Sequence, residues 1–433
     1  MDKFAEIRVP IAHNNPSIRR KENKCVLCGK CKDVCIKQIG VAGNWTYDSE
    51  DIVCINCGQC ANFCSVEAIV EQDNSNEFLE LIQNPNKKVA VIVAPAVRVS
   101  LGEEFGLNVG EFVAGKMVSA IKKLGVDFVF DVSFGADLTV MEEACELVER
   151  IKSNNDLPQF TSCCPAWVKF VKCFYPQFVP NLSTCLSPIA MLSSVIKNWF
   201  AKNKNIKPEN LAVVAITPCV AKKMEANLLQ LCGEYGKNTD CVITVRELAR
   251  MLKKQEIGFE NLEQACFDEP FNCASNAGVS FGVSGGVAKA VIQTAHYLTT
   301  NNQPPKNLIK FKPLAGMNGV KTASVRLLDK ELKLCVISGT ANARRILNGM
   351  NEYNFDFIEV MACPNGCVGG GGQPKQEDNH LAVSKRGESL FKFDSKTKDS
   401  YQNLNLTQLY SEFLGEPNGE KAQEFLHMNH SAR

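Results

Sequence analysis

Two cysteines stand just before four consecutive glycines in Met361-Ala362-Cys363-Pro364-Asn365-Gly366-Cys367-Val368-Gly369-Gly370-Gly371-Gly372-Gln373-Pro374. The run before them, Phe355 to Val360, alternates in polarity and is aromatic and β-branched, so it reads as a strand. Thiolates at the carboxyl end of a buried strand are well placed to hold a metal, because ligands of open α/β sheets gather there. The glycines let backbone come close to something bulky. Alone, the segment also reads, less readily, as a glycine-rich turn with two buried thiols.

An internal repeat carries a sharper signal. Cys25, Cys28, Cys31 and Cys35 share the spacing of Cys54, Cys57, Cys60 and Cys64. Each half is C-x2-C-x2-C-x3-C, the run that holds cubane clusters in two-cluster ferredoxins, where the fourth ligand comes from the other half. One cluster therefore takes Cys25, Cys28, Cys31 and Cys64, and the other takes Cys54, Cys57, Cys60 and Cys35. Zinc sites use well-separated ligand pairs instead. Ile36 and Ser65 stand where such runs often have proline, which bears on local geometry and not on ligation.

Two further segments place cysteines beside candidate strands. Thr161-Ser162-Cys163-Cys164-Pro165-Ala166-Trp167 has adjacent cysteines that point different ways, which fits one ligand and one free thiol, or two buried structural thiols. The apolar run Leu211–Ile216 leads into Thr217-Pro218-Cys219-Val220-Ala221-Lys222-Lys223-Met224-Glu225. There Lys222 is either a fixed cation near an anionic group or a solvated lysine. Cys164, Cys219, Cys363 and Cys367 are enough for a third cubane, although spacing alone does not group them.

The elements that position these residues follow from the hydrophobic pattern. Residues 1–24 are polar, with Pro10 and Pro16, and read as an amino-terminal arm with one strand at Ile7–Val9. Residues 25–84 form the two-cluster unit, closed by a helix at Glu77–Gln83 and the break Asn84-Pro85-Asn86. From 85 to 433, strands (Val89–Val93, Val126–Phe130, Leu211–Ile216, Leu334–Ile337) alternate with helices (Val109–Leu124, Asp137–Lys152). That alternation predicts an α/β class with parallel sheets covered by helices, and its length predicts two lobes. The tail from Glu416 to Arg433 reads as a helix.

Composition excludes several classes. The 433 residues carry 48 Lys plus Arg against 47 Asp plus Glu, so charge offers no case for nucleic acid or an anionic membrane. No apolar run reaches a membrane span, and Met1-Asp2-Lys3-Phe4-Ala5-Glu6 has no apolar signal core. Clustered cysteines among 21, in a long chain without a secretion signal, point to metal or redox chemistry in the cytoplasm.

Taken together, the segments Thr161–Trp167, Thr217–Glu225 and Glu359–Pro374 resemble the three signature motifs of the iron-only (FeFe) hydrogenases, in a short form with two accessory clusters. Ala94–Arg98, Ala136–Glu143, Phe281–Val287, Gly316–Lys321 and Leu409–Pro417 support the resemblance, which spans nearly the whole chain. It implies two α/β lobes of twisted sheets flanked by helices, preceded by an α+β ferredoxin-like domain. It also implies a reversible reaction, 2H⁺ + 2e⁻ ⇌ H₂, at an H-cluster. That cofactor is a 4Fe–4S cubane linked to a di-iron unit with carbonyl, cyanide and a bridging amine-dithiolate.

By this resemblance Cys164, Cys219, Cys363 and Cys367 hold the cubane, with Cys367 as the bridge. Cys163 is the proton-exchanging thiol. Glu143, Ser183 and Glu146 form the proton relay, with Arg150 near its outer end. Lys222 and Ser162 face cyanide, and Met361 packs on the di-iron unit. The implied partners are a ferredoxin-like or flavodoxin-like electron carrier and the hydrogenase maturation proteins. Read without the family, Glu143 and Glu146 are an ordinary acidic helix face, and Ser183 a cap or turn residue.

Departures are Thr217 for a common methionine, Ala166 for glycine, Cys185-Leu186 for a small residue and lysine, Cys145 between the relay acids, and Ala288-Lys289 for Met-Glu. Eight further cysteines are expected only to pack, and His380, His427 and His430 to be surface or structural residues. Two other functions fit the class: a hydrogenase-like iron–sulfur protein in cluster assembly, and a hydrogen sensor. Paired Cys163-Cys164 with Glu143 disfavours the first. The presence of Cys163 and the lack of room for a signalling domain disfavour the second.

Overall fold

A computed structural model describes residues 4–43 and 53–430. The ends of the amino-terminal arm and carboxyl tail, residues 1–3 and 431–433, and residues 44–52 of the two-cluster segment lie outside the described residues.

Lys88–Val93 and Leu211–Thr217 are apolar at almost every position, so both faces need covering. They are the central strands of a four-stranded parallel sheet, ordered Phe128–Asp131, Lys88–Val93, Leu211–Thr217, Cys241–Thr244. Alternate residues serve opposite faces. Ala90, Ile92, Val213 and Ala215 pack with Phe130, Phe200 and Phe271. Val89, Val91, Val214 and Ile216 pack with Met117, Ile121, Leu248 and Leu252, from helices Ala114–Lys123 and Val245–Lys254.

The second lobe holds a five-stranded mixed sheet. Its order is Lys312–Pro313, Val320–Leu327, Lys330–Ser338, Phe357–Met361, Gln159–Phe160. The last three strands are parallel, with Ile337 opposite Val360 and Ile358 opposite Phe160. Val320–Leu327 and Lys330–Ser338 form an antiparallel hairpin absent from the sequence reading. Its turn places Leu328 and Asp329 at φ of 49° and 59°, a conformation usually signalled by glycine or asparagine.

Between the lobes runs a helix, Val132–Ser153, buried along most of its length. It begins five residues before the expected Asp137. Asp131 caps it by accepting from the Ser133 amide at 2.8 Å, and Arg98 holds that carboxylate at 2.6 Å. The helix packs on Pro188–Val195 and Gly286–Thr300.

The strand expected at Ile7–Val9 does not form. Ile7 and Arg8 both donate to the Phe4 carbonyl in a turn, and Pro10 has no amide to offer a ladder. The strand lies at Ile18–Arg20, antiparallel to Ile69–Glu71. Between these strands the cysteine repeat is also a backbone repeat. Leu27 and Asn56 have φ of 53° and 63°, and Gly29 and Gly58 have 78° and 71°. Helices Lys30–Lys37 and Gln59–Asn62 follow directly. In the tail the helix is shorter than expected, Glu420–Leu426.

Candidate active site

The carboxyl ends of the two sheets face a common cavity. One sheet delivers Thr217-Pro218-Cys219. The other delivers Met361 and Cys363 at the end of Phe357–Met361, the strand next to its edge, and Cys163-Cys164 just past Gln159–Phe160. Cys163, Cys164, Cys219, Cys367, Lys222, Met361 and Thr217 line this largely apolar cavity, with Ala94, Pro95 and Phe281.

The four thiols expected to share a cubane are mutual neighbours. Burial pushes the Cys219 thiol up to about 12, with Cys164 adding to the rise. Burial also raises Cys363 well above its ordinary value, and Cys219, Cys57, Cys164 and Cys367 reinforce it. Clustered thiols lose their protons together only when a bound cation offsets the charge, so a metal group here would release protons on binding. Among the described residues no three His, Cys, Asp or Glu converge as a single metal ion requires. A cubane asks less, because each thiolate binds its own iron. The donor set fits such a cluster.

Cys57 ties the accessory segment to this centre. Its thiol, raised by burial and by Cys60, Cys35 and Cys54, also acts on Cys363. Cys25, Cys31, Cys35, Cys54, Cys60 and Cys64 surround one small core, while Cys28 is exposed. Backbone amides of Asn56 and Ile69 point at the sulfurs of Cys54 and Cys64, both at 3.4 Å. The glycine run explains the fit. A Cβ on Gly371 would collide with the Cys57 carbonyl, and one on Gly370 with the Pro218 carbonyl. The bulky neighbour is thus backbone from both the ferredoxin-like segment and the Cys219 loop.

Glu143 is buried, and neither carboxyl oxygen has a hydrogen-bond partner. Burial holds it well above the usual carboxylate range, with Glu146 and Glu359 adding to the rise. Cys163 is raised well above its ordinary value by burial and then by Glu143, so it stays a thiol able to donate. Ser183 Oγ donates to Glu146 Oε2 at 2.5 Å, and Arg150 Nη2 donates to Glu146 Oε1 at 2.7 Å. Arg150 also holds the carbonyls of Asn181 and Leu182, at the exposed end of the helix.

Lys222 is buried rather than solvated. Burial alone would lower it, but the Glu225 carboxylate and Cys219 outweigh that effect and raise it. Its Nζ reaches Glu225 Oε2 at 2.7 Å and the Cys163 carbonyl at 3.3 Å. The sequence reading missed Glu225, although its i,i+3 spacing from Lys222 was visible. Ser162 Oγ donates to the Cys185 carbonyl at 2.7 Å. His380 is exposed. His427 and His430 are tucked against Ser183 and Thr184, with Thr184 Oγ1 2.8 Å from His427 Nδ1 and His430 Nε2 2.9 Å from the Ser183 carbonyl.

Two α/β lobes meeting at a thiol-lined cavity, beside a duplicated cysteine run, define an iron–sulfur protein built for redox chemistry. The chain belongs to the iron-only hydrogenase family: residues 87–371 match the profile "Iron only hydrogenase large subunit, C-terminal domain", and residues 380–433 match "Iron hydrogenase small subunit". It is 39% identical to the NADP-reducing hydrogenase subunit HndD of Solidesulfovibrio fructosivorans, across 96% of this chain and 75% of that one. It is 36% identical to iron hydrogenase 1 of Clostridium pasteurianum, across 97% and 77%. A variant of the FeFe-hydrogenase HydA1 of Chlamydomonas reinhardtii superposes with a TM-score of 0.75 at 33% identity, covering 83% of this chain and 98% of that one. More distantly, the cytosolic Fe-S cluster assembly factor narfl of Xenopus tropicalis is 29% identical across 85% of this chain and 81% of that one. No helix among the described residues is long and apolar enough to cross a membrane.

Proposed function

We propose that this chain catalyses reversible 2H⁺ + 2e⁻ ⇌ H₂, with electrons carried by two accessory 4Fe–4S clusters in residues 25–84 to a catalytic unit in residues 85–433. Cys164, Cys219, Cys363 and Cys367 would hold the cubane of an H-cluster, with Cys367 bridging to the di-iron unit. When bound, that unit supplies the site at which hydrogen is split or formed.

The observation that carries this reading is Glu143. A carboxyl without a partner, wholly buried beside the Cys163 thiol, costs several kcal/mol by order of magnitude and stabilises nothing. A perturbed acid in such a place, with only the Arg150 charge and the Gln159 side chain lowering it, is a candidate for proton transfer. The chain's residues then divide the work. Cys163 exchanges a proton at the cavity wall, and Glu143 takes it up or returns it. Ser183, Glu146 and Arg150 continue the path to the surface. Lys222 would offer a cation toward cyanide and Met361 would pack against the di-iron unit, while Ser162 would do the same only by turning its hydroxyl from the Cys185 carbonyl. Cys57 lies on the side nearest Cys363, and the exposed Cys28 faces the solvent, where a ferredoxin-like or flavodoxin-like carrier would dock. Maturation proteins would install the di-iron unit, in the cytoplasm.

The test is an anaerobic infrared spectrum of protein co-expressed with maturation proteins, under argon and then hydrogen. Carbonyl and cyanide bands that shift when hydrogen enters are the expected result. Bands that ignore hydrogen would turn the reading toward a sensor. No bands, in protein with full cubane iron and maturation proteins proven on another hydrogenase, would overturn it in favour of cluster assembly.

A further inference from the structure

Glu146 has a second hydrogen-bonded neighbour line besides Ser183 and Arg150. The Thr184 amide donates to Glu146 Oε1 at 3.1 Å, and Thr184 Oγ1 lies 3.4 Å from the same oxygen. Thr184 Oγ1 is 2.8 Å from His427 Nδ1. His427 Nε2 is 3.0 Å from Glu142 Oε2, whose other oxygen accepts from Tyr410. The imidazole is 2% exposed and the Glu142 carboxylate 0%. Carboxylates, histidine and hydroxyls thus form one line, buried at both carboxylates and half-buried at Thr184.

A hydroxyl has one proton and must choose where to donate it. With His427 neutral and Nε2–H pointing at Glu142, Nδ1 is an acceptor and takes the Thr184 proton. With His427 charged, Nδ1–H donates to Thr184 Oγ1, and the Thr184 hydroxyl turns to Glu146. The protonation state of His427 is therefore written into the hydrogen bonding of Glu146.

We propose that His427 is a proton reservoir for Glu146, coupled through the Thr184 hydroxyl and anchored by Glu142; this rests on the relay role proposed above for Glu146. In discharge, the Nδ1 proton passes to Thr184 Oγ1 as the Thr184 proton passes to the Glu146 carboxylate. Recharge runs the same bonds backward. Two protons each shift by one hydrogen bond, the net transfer from His427 to Glu146 is one proton, and no electron moves. The titratable groups set against the imidazole are Glu142, whose Oε2 also accepts from the Asn418 amide at 2.7 Å, and Cys185, with its Sγ 4.0 Å from Nδ1. Glu146 with its partner Arg150 lies one hydrogen bond further, behind Thr184, while Tyr410 and Cys145 neighbour Glu142. His430, beyond the turn, bonds away from it to the Ser183 carbonyl.

The test uses the five histidines of the chain. Nitrogen-15 imidazole spectra of the cubane-loaded protein, with His427 assigned by its loss in His427→Gln, follow its titration in wild type, Thr184→Val and Thr184→Ser. Valine removes the hydroxyl that both forms of His427 engage, so the His427 titration should shift; serine should restore it. In fully matured protein, His427→Gln and Thr184→Val should both move the alkaline limb of hydrogen production to lower pH. An unshifted titration in Thr184→Val, or a pH profile merely scaled down, overturns the proposal. If His427→Gln fails to fold, Thr184→Val against Thr184→Ser decides alone. If wild type makes no hydrogen, the functional reading fails, and the titration still decides the coupling.

Discussion

Gln59 donates from its side-chain amide to the Gly369 carbonyl at 2.8 Å, tying the Cys57 loop directly to the Cys367 loop. Asn62 repeats the tie at the Gly370 carbonyl, 3.0 Å away. Arg246 joins both sides, bonding Glu71 and Asn62 on one and the Gly371 and Gln373 carbonyls on the other. The ferredoxin-like segment is thereby bonded directly to the backbone of the candidate catalytic centre.

Gly371→Ala should break that contact. The new methyl meets the Cys57 carbonyl and Gly58, which are backbone and cannot turn aside. Overpacking of this kind costs about 1–3 kcal/mol. Thermal unfolding should start earlier, and hydrogen production from a protein carrier should fall more than that from a small-molecule reductant.

Cys163→Ala should leave four-thiol ligation intact, because Cys163 lies outside the proposed ligand set. Turnover should fall about 10²–10⁴-fold, as for loss of a positioned proton donor. Iron content and infrared bands measured beside the rate would separate this from cluster loss.

Glu143→Gln should trade activity for stability, and the sign follows from the raised carboxyl. An unfolded glutamate releases its proton near pH 4.3, while folded Glu143 keeps it well above that. Between those values the native state binds more protons, so stability falls as pH rises, by at most about 1.4 kcal/mol per pH unit. Glutamine removes this slope. Unfolding midpoints from pH 5 to 8 should therefore decline less in the variant, while hydrogen turnover is lost.

Glu225→Gln should destabilise strongly. Lys222 and Glu225 are 8% and 11% exposed, so the variant strands a buried cation. Breaking such a pair costs about 3–5 kcal/mol. Denaturant unfolding of the cubane-loaded protein would show it. A milder Ser187→Ala, which removes one donor to Glu225, should cost about 1 kcal/mol.

The sequence by itself determined what is local. The duplicated cysteine run was legible because its thiols fall at a fixed spacing within a single loop, and the backbone repeats with it. The central strands were legible because a strand covered on both faces must be apolar throughout. Leu328 and Asp329 hid their turn, since neither announces a positive φ, and the strand at Ile18–Arg20 hid because its partner lies some fifty residues away. Only the tertiary structure decided what touches what. Cys164, Cys219 and Cys363 meet because two sheets direct their carboxyl ends into one cavity. Gly371 is small because Cys57 crosses it. Glu143 became a buried, unpartnered acid, where spacing alone allowed a solvated helix face. His427 reached the Glu146 region from the far end of the chain. Burial and long-range contact set these relationships, and both are properties of the folded packing rather than of any single segment.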